Sequence, residues 1–190
     1  MVLPVVKYGE PVLRKKGSKI TEFNAELQQF VADMFETMYH ARGVGLASQQ
    51  VGQALQLCVI DVRGLKDRPS QLWLSGQPAN VEAFMPLVLI NPQIKPVGER
   101  IDGPEGCLSF PDIYAEVTRP AEVEVTALNQ RGESFEFKAG GLLARAVQHE
   151  VDHLNGILFI DRMSSEALAD VKAEVDDLQA ATKAKLALKK

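Results

Sequence analysis

Residues 141–154 read GLLARAVQHEVDHL, and this stretch decides the fold because it predicts a buried helix with two histidines on one face. Four apolar residues ahead of the histidines supply packing surface at helical spacing: Leu142, Leu143, Ala146 and Val147. Asn155-Gly156 is a common helix terminator, so we expect the helix to run from Gly141 to Leu154. Positions four apart share a helix face, so His149 and His153 should point the same way.

The pattern His-Glu-x-x-His within this helix (the HExxH motif, residues 149–153) is typical of a catalytic metal site. Both imidazoles can reach one ion, and Glu150 lies beside the first of them. Glu150 can therefore take a proton from a water molecule that the metal activates. The whole chain has only three histidines, so a chance pairing at this spacing is the weaker alternative.

A catalytic metal normally has three protein ligands, so the motif requires one more. Cys107 is one candidate, because a thiolate binds zinc or ferrous iron well and lies in a glycine-containing, turn-rich stretch. The alternative for Cys107 is an ordinary buried cysteine. Glu166 and Glu174 are the other candidates, as in peptidases that use a downstream glutamate, although that helix is rich in carboxylates and reads better as a solvated face.

The rest of the chain predicts an α+β fold, with mostly antiparallel β-sheets packed around the central helix and helices at both ends. Residues 24–41 show helical spacing of apolar residues, and a last helix begins near Ser165. Residues 129–132 read NQRG and predict a hairpin turn. Strands are expected at residues 55–62, 87–91, 97–101, 114–118, 122–128, 133–137 and 157–160.

Length and composition limit the possible functions. With 190 residues, we expect one catalytic domain over residues 1–190. The net charge of -4 argues against DNA binding by the body of the protein, and no apolar run is long enough to span a membrane. The first residues show no secretion signal, and two cysteines make a thin disulfide framework, so we expect a reducing, cytoplasmic location.

Three motifs together resemble the signature of the peptide deformylase family. They are GVGLASQ at residues 43–49, EGCLS at residues 105–109 and HEVDH at residues 149–153, in the family's order and with compatible separations. The likeness covers nearly the whole chain. The second and third motifs are specific as a pair, whereas the glycine-rich one is weak alone. The first motif departs from the usual pattern at Ser48, where the family has alanine.

The resemblance implies a hydrolase that removes the formyl group from the N-terminal formyl-methionine of nascent polypeptides, releasing formate. It implies that Cys107, His149 and His153 hold one divalent metal ion, Fe2+ in preference, with Zn2+, Ni2+ or Co2+ as possible replacements. It assigns Glu150 as the acid/base residue. By the same analogy, the Gln49 side-chain amide and the Leu108 backbone N–H stabilise the oxyanion.

The same resemblance predicts how a formyl-peptide binds. Gly45 is expected to hold the peptide through backbone contacts in an extended form. The methionine slot would be lined by Leu142 and Ala146 on the helix and by Val44 opposite, with ordinary core packing as an equal alternative. Arg145 faces the same side and could bind a substrate carbonyl or pair with a carboxylate such as Glu105.

Two segments and two rival functions remain open from the sequence. Residues 63–85 are long for a connection and could form a lid, a dimer surface or part of the core. The basic end of the last helix hints at a partner, and the family resemblance implies ribosome contact there through Lys183, Lys185, Lys189 and Lys190; the alternative is a frayed, solvated helix end. The rivals are a zinc peptidase with a downstream glutamate and a metal-stabilised binding module without turnover.

Overall fold

A seven-stranded antiparallel sheet and a central helix form the frame of the protein, which confirms the predicted α+β class. The computed structural model describes residues 1–188. The strand order is β1-β2-β5-β6-β7-β3-β4. The strands are β1 (Gly45–Ala47), β2 (Leu57–Ile60), β3 (Ser70–Leu74), β4 (Gln77–Pro78), β5 (Leu87–Cys107), β6 (Phe110–Leu128) and β7 (Ser134–Gly140); the helices are α1 (Ala25–His40), α2 (Val81–Phe84), α3 (Gly141–Leu154) and α4 (Ser165–Ala187).

Helix α3 lies in the middle of the core and has the bounds expected from the sequence. Every residue after Gly141 is buried, so the apolar face packs on the sheet while the polar residues are enclosed. Leu143, Val147 and Leu154 have no exposed surface and share one core cluster with the inner face of the sheet. The motif is therefore held on a rigid, shielded element rather than on a loop.

The outer helices complete two further cores. Helix α1 is capped by the Asn24 side chain, which accepts from the Leu27 N–H at 3.0 Å, and it packs Met34 and Met38 against β1 and β2. Helix α4 packs Val175 into a third cluster with Phe110 and neighbouring apolar residues. No helix within residues 1–188 has both the length and the apolarity that a membrane crossing requires. Lys189 and Lys190, which are predicted to take part in ribosome contact, lie outside the described residues.

Strands β5 and β6 form one long hairpin where the sequence predicted four shorter strands. Residues 87–91 and 97–101 fall within β5, and residues 114–118 and 122–128 fall within β6. Register shifts between Ile90 and Gln93 and between Val97 and Arg100 allow the pairing to continue through the irregular positions. The predicted turn at residues 129–132 is confirmed, since the Asn129 N–H donates to Glu133 across it.

The strand predicted at residues 157–160 is wrong. Phe159–Asp161 forms a short 3-10 helix, because the Leu158 N–H donates to the Asp161 carboxylate at 2.8 Å instead of to a strand. The apolar side chains that suggested a strand are buried for another reason: Leu158 and Phe159 belong to the core cluster beneath α4. An apolar run of this length does not distinguish a buried strand from a buried turn.

Residues 63–85 extend the sheet and do not form a detached lid. Strand β3 pairs with β7, and Leu72 is almost completely buried in the main core. The start of β3 also satisfies the first turn of α3: the Pro69 carbonyl accepts from Leu142 N–H at 3.1 Å, and Ser70 Oγ accepts from Leu143 N–H at 3.0 Å. Because α3 lacks a capping side chain of its own at Gly140, this segment supplies the cap from outside.

We expect Ser70→Ala to lower the free energy of unfolding by about 1 kcal/mol, since a cap acceptor for the helix is lost. In a protein of this size, such a change lowers Tm by about 2–4 °C. Thermal unfolding of the metal-loaded protein measures it. Ser134→Ala is the matched control, because that exposed serine begins β7 and does not cap a helix. Equal Tm values for the two variants would contradict the capping role.

Candidate metal centre

Helix α3 brings two imidazoles together as the four-residue spacing predicted. The ring centroids of His149 and His153 are 5.1 Å apart. Both side chains are buried, and both belong to one group of possible ligand atoms that lie within 4.8 Å of one another. The third member of that group is Cys107. Within residues 1–188, no other set of histidine, cysteine or acidic side chains makes such a cluster.

Cys107 reaches the histidines because it ends the long strand β5. It pairs with Phe110 across a turn of two residues, Leu108 and Ser109, where the register shifts. Its Sγ lies 3.3 Å from Nε2 of His153. One thiolate and two imidazoles within this distance fit a tetrahedral zinc or ferrous site with one open position. Glu166 and Glu174 are exposed on α4, so a downstream glutamate does not join the cluster.

A buried ion-pair network supports the ligands, and the sequence analysis missed most of it. Arg119 donates to Glu105 at 2.6 Å and to Asp152 at 2.8 Å, and Arg162 also binds Asp152 at 2.7 Å. Glu105 lies two residues before Cys107, and Asp152 lies next to His153. Each carboxylate therefore lies within two residues of a ligand in sequence, which was the available signal. Arg119 links the two ligand-bearing elements, β5 and α3, through their carboxylates.

The network also sets the charge around His149. The Oε1 of Glu105 lies 3.8 Å from His149 Nδ1, which leaves Nε2 for a metal. Burial alone would raise the pKa of Glu105, but the nearby His149 ring and the hydrogen bond from Arg119 lower it to about 2. Burial opposes a charged His149, yet contact with Cys107 and Glu105 raises its pKa well above the usual value. A bound metal takes the place of that proton, since ligation requires the neutral ring.

Glu150 is buried beside the ligands with a free carboxylate oxygen. Its Oε2 has no hydrogen-bond partner among residues 1–188. Burial raises the pKa of Glu150 to about 7, and Glu105 acts in the same direction. Gly45 lies directly against the carboxylate, because a Cβ at that position would approach Glu150 Oε1 to 2.3 Å. A glycine is needed at position 45 to leave room for the Glu150 carboxylate.

A cavity of about 620 Å³ opens onto these groups. Its lining includes Val44, Gly45, Leu142 and Ala146, the four residues for which substrate-binding roles are predicted from the sequence. Leu142 and Ala146 are also buried and belong to the main core cluster. These two residues therefore both line the cavity and pack in the core, so the two predicted alternatives do not exclude each other. The cavity is also lined by Cys107, Leu108, His149 and Glu150.

The structure corrects the prediction for Gln49. Gln49 is fully buried away from the cavity, and its Nε2 donates to the Lys15 carbonyl at 3.4 Å. Gln50 lines the cavity instead, with Nε2 3.5 Å from Cys107 Sγ and 3.3 Å from Ser109 Oγ. The two glutamines are the middle residues of a 3-10 turn, Ser48–Val51, in which neighbouring side chains point in different directions. The sequence offered two adjacent glutamines, and the wrong one was chosen.

Lys7, which the sequence analysis did not single out, braces the turn that follows Cys107. Its Nζ donates to the Leu108 carbonyl at 2.8 Å. Burial lowers the pKa of Lys7, against the opposing effect of Cys107. The backbone on either side also binds this region, since Val6 N–H donates to Gln50 and Tyr8 N–H donates to Ser109, both at 2.9 Å. The N-terminal segment therefore fixes Gln50 and the turn together.

Arg145, whose role was left open, holds the wall of the cavity. Its guanidinium donates to the carbonyl of Val117 at 2.7 Å and to that of Ile101 at 3.1 Å. It also lies 3.8 Å from Glu105 Oε1. Gly103 makes room for it, since a Cβ there would approach Arg145 Nη2 to 2.8 Å. Most donors of Arg145 are used within the β5–β6 hairpin, so its main role is structural.

The site defines a class: a hydrolase with a Cys/His/His metal centre and a buried glutamate on the motif helix. The model of the family described as polypeptide deformylase matches residues 2–168. Peptide deformylase of Methylacidiphilum infernorum is 47% identical over 179 residues, which cover 94% of each chain. Among solved structures, peptide deformylase 1B of Arabidopsis thaliana in complex with an inhibitor has a TM-score of 0.82 and 38% identity over 96% of this chain and 93% of that one.

Peptide deformylase of Synechococcus elongatus in complex with actinonin is similar too, with a TM-score of 0.75 and 40% identity over 88% of this chain and 86% of that one. This chain belongs to the polypeptide deformylase family. It is an enzyme that removes the N-formyl group from nascent peptides at a metal centre of Cys107, His149 and His153. The expected family, fold, activity and ligand set are confirmed.

Proposed function

We propose that deformylation by this chain uses Glu150 as the general acid/base, with Gln50 and the Leu108 backbone N–H as oxyanion donors. The observation that carries the proposal is the buried carboxylate of Glu150, which lines the same cavity as Cys107 and His149 and has one oxygen without a hydrogen-bond partner among residues 1–188. A divalent ion held by those three ligands would polarise the formyl carbonyl and lower the pKa of water.

Glu150 handles the proton in this scheme. As water attacks the formyl carbon, the Glu150 carboxylate accepts its proton; when the C–N bond breaks, the same carboxyl returns a proton to the departing amine. Formate and a peptide with a free amino terminus are the products. Burial raises the pKa of Glu150 from its usual value, which suits a residue that must both accept and release a proton.

The peptide itself would bind along the cavity. Gly45 and its neighbours offer backbone groups of a short strand to an extended substrate, a strand-addition mode of binding. Leu142, Ala146 and Val44 line the cavity and offer an apolar surface to the methionine side chain. This retains the substrate-binding roles expected for those four residues.

Variants of the two adjacent glutamines distinguish Gln50, the proposed oxyanion donor, from its neighbour Gln49. We expect Gln50→Leu to lower kcat by about 10²- to 10³-fold, because one donor to the developing oxyanion is lost. Gln49→Leu is the matched variant and should change kcat far less, since the side chain of Gln49 does not line the cavity. Steady-state kinetics with a formyl-methionyl peptide measure both. A larger loss in Gln49→Leu would return the role to Gln49.

The metal ion is proposed to be Fe2+, with Zn2+, Ni2+ or Co2+ as possible replacements. A thiolate with two imidazoles suits ferrous iron and zinc alike, and the family likeness favours iron. The experiment is anaerobic purification, metal analysis and measurement of formate released from a formyl-methionyl peptide. Stoichiometric iron with rapid formate release is the expected result. Absence of formate release with every one of these metals would overturn the proposed catalytic scheme.

We propose ribosome contact through the end of α4, where Lys183 and Lys185 are exposed. Lysines at this position can meet RNA phosphates, which makes binding depend on salt. The double variant Lys183→Glu/Lys185→Glu is expected to weaken co-sedimentation with ribosomes by about tenfold or more at low salt. Lys19→Glu/Lys66→Glu is the matched control, because those lysines are also exposed but lie far from α4 in sequence. Equal co-sedimentation of the unaltered protein, the α4 double variant and the control double variant would contradict the proposed ribosome contact.

The chain is further proposed to act as one catalytic domain over residues 1–190 in a reducing, cytoplasmic compartment. Strands from both halves of the chain share one sheet, which favours a single unit. Cys58 and Cys107 are both free, and metal binding requires a reduced thiol at Cys107. Limited proteolysis should give one resistant core, and fractionation of cells should place the protein with cytoplasmic markers.

A further inference from the structure

The mouth of the cavity carries two arginines that the mechanism does not use. Arg42 and Arg68 both line the cavity, and both are exposed. Within residues 1–188, neither forms an ion pair. The acidic side chains of the lining are Glu105 and Glu150, which are buried, and Asp112, which is exposed but does not pair with either arginine. The mouth is therefore cationic, although the whole chain carries a net charge of -4.

Arg42 is kept in a backbone conformation that favours glycine. It follows the end of α1, where the Arg42 N–H donates to Tyr39 and the Gly43 N–H donates to Met38. Its φ is +55°, in the left-handed region, where helices commonly end on glycine. A residue with a side chain is strained in this backbone conformation. The exposed guanidinium of Arg42 forms no ion pair within residues 1–188 that would offset the cost of this strain. Backbone strain at residues other than glycine is common at binding and catalytic sites.

Arg68 is held at the cavity by a hydrogen bond to β5. Its Nη2 donates to the Pro104 carbonyl at 3.0 Å, in the strand that leads to Cys107. The other guanidinium N–H groups remain for a ligand, since an arginine has five donors. Pro69 and Ser70, which follow directly, are fixed by their contacts with α3. An otherwise exposed side chain is thus anchored beside the metal ligands.

We propose that Arg42 and Arg68 select formyl-methionyl peptides with an acidic side chain among the residues that follow methionine. The inference rests on the proposed function and narrows its substrate class. A formyl-peptide with its methionine in the apolar slot must leave the cavity through this mouth. An aspartate or glutamate there meets two guanidinium groups, whereas a lysine meets like charge. Lys7 adds to the same potential from deeper in the cavity.

The test uses the full-length, metal-loaded enzyme and formyl-Met-Ala-X-Ala peptides, together with formyl-Met-X-Ala-Ala peptides, in which X is Asp, Asn or Lys. At low salt, kcat/KM for Asp should exceed that for Lys by about tenfold at one of the two positions. The ratio should fall towards one at about 0.5 M salt, because exposed charges are screened. The double variant Arg42→Glu/Arg68→Glu should invert the preference.

Lys66→Glu is the matched control, since it reverses an exposed charge two residues from Arg68 without lining the cavity. It should keep the Asp-to-Lys ratio of the unaltered enzyme. Arg42→Gly provides an independent readout: relief of the backbone strain should raise Tm by about 2–4 °C while the Asp-to-Lys ratio falls. A Tm that does not rise would overturn the argument that Arg42 is kept for its charge.

A ratio near one for the unaltered enzyme at both positions would overturn the proposal, as would the same ratio in the double variant and in Lys66→Glu. These outcomes differ from a failure of the proposed function. In that case, the neutral Asn peptides would release no formate either. Rapid release from the Asn peptides without any charge preference would leave the deformylase scheme intact and remove only the role of the two arginines.

Discussion

Replacing Glu150 with glutamine is expected to lower kcat by about 10²- to 10⁴-fold while the metal content stays the same, because only the proton transfer is lost. Glutamine has the same shape but cannot accept a proton. The ligands come from other residues, so an ion should still bind to Cys107, His149 and His153. The expected signature is thus a fall in kcat with little change in the amount of bound metal.

The measurement is formate release under anaerobic conditions, with metal analysis of the same preparation. Glu166→Gln is the matched control: it makes the same chemical change at an exposed carboxylate on α4, outside the cavity. Its kcat should equal that of the unaltered enzyme. Full activity in Glu150→Gln would contradict the assignment of the base and leave the free carboxylate oxygen without a role.

Replacing Cys107 with alanine should remove both the metal and the activity. The thiolate is one of three ligands, and loss of even an outer partner of a ligand typically weakens metal binding by about 10–100-fold. Loss of a ligand itself should exceed that range, and formate release should fall to the level without enzyme. The remaining histidines lie on one helix and leave the β5 side of the site without a donor.

Cys58→Ala is the control for this experiment. Cys58 is fully buried in β2, outside the group of possible ligands, so its loss should cost stability but leave one metal ion per chain. Burial raises the pKa of Cys58 well above the usual value, so it stays a thiol and does not compete for the ion. Retention of metal and activity in Cys107→Ala would contradict the ligand set of Cys107, His149 and His153. It would support the alternative of a zinc peptidase whose third ligand is a downstream glutamate.

Much of the site could be predicted because its central part is local. The two histidines, their glutamate and the bounds of α3 follow from helical periodicity and from the Asn155-Gly156 terminator, all within one short stretch. The second motif then identified Cys107, even though its Sγ meets a histidine 46 residues further along the chain. Those predictions needed residue types and spacing, not knowledge of packing.

The predictions were wrong where one local sequence pattern is compatible with two different structures. Gln49 and Gln50 are identical in type and adjacent, and only the 3-10 turn decides which one faces Cys107. Residues 157–160 have the composition of a strand, yet the Asp161 carboxylate takes the Leu158 N–H and a 3-10 helix forms. In both cases, the outcome depends on hydrogen bonds that the apolar pattern does not encode.

The sequence by itself determined the helix, the spacing of its two imidazoles and the place of Glu150 beside them, since a regular helix fixes which neighbours share a face. Only the tertiary structure decided which glutamine reaches the cavity, how Arg119 joins Glu105 to Asp152, and that Ser70 caps α3 from a neighbouring strand. These contacts join distant segments. Their geometry depends on how the sheet and helix pack together, and a one-dimensional pattern does not specify that packing.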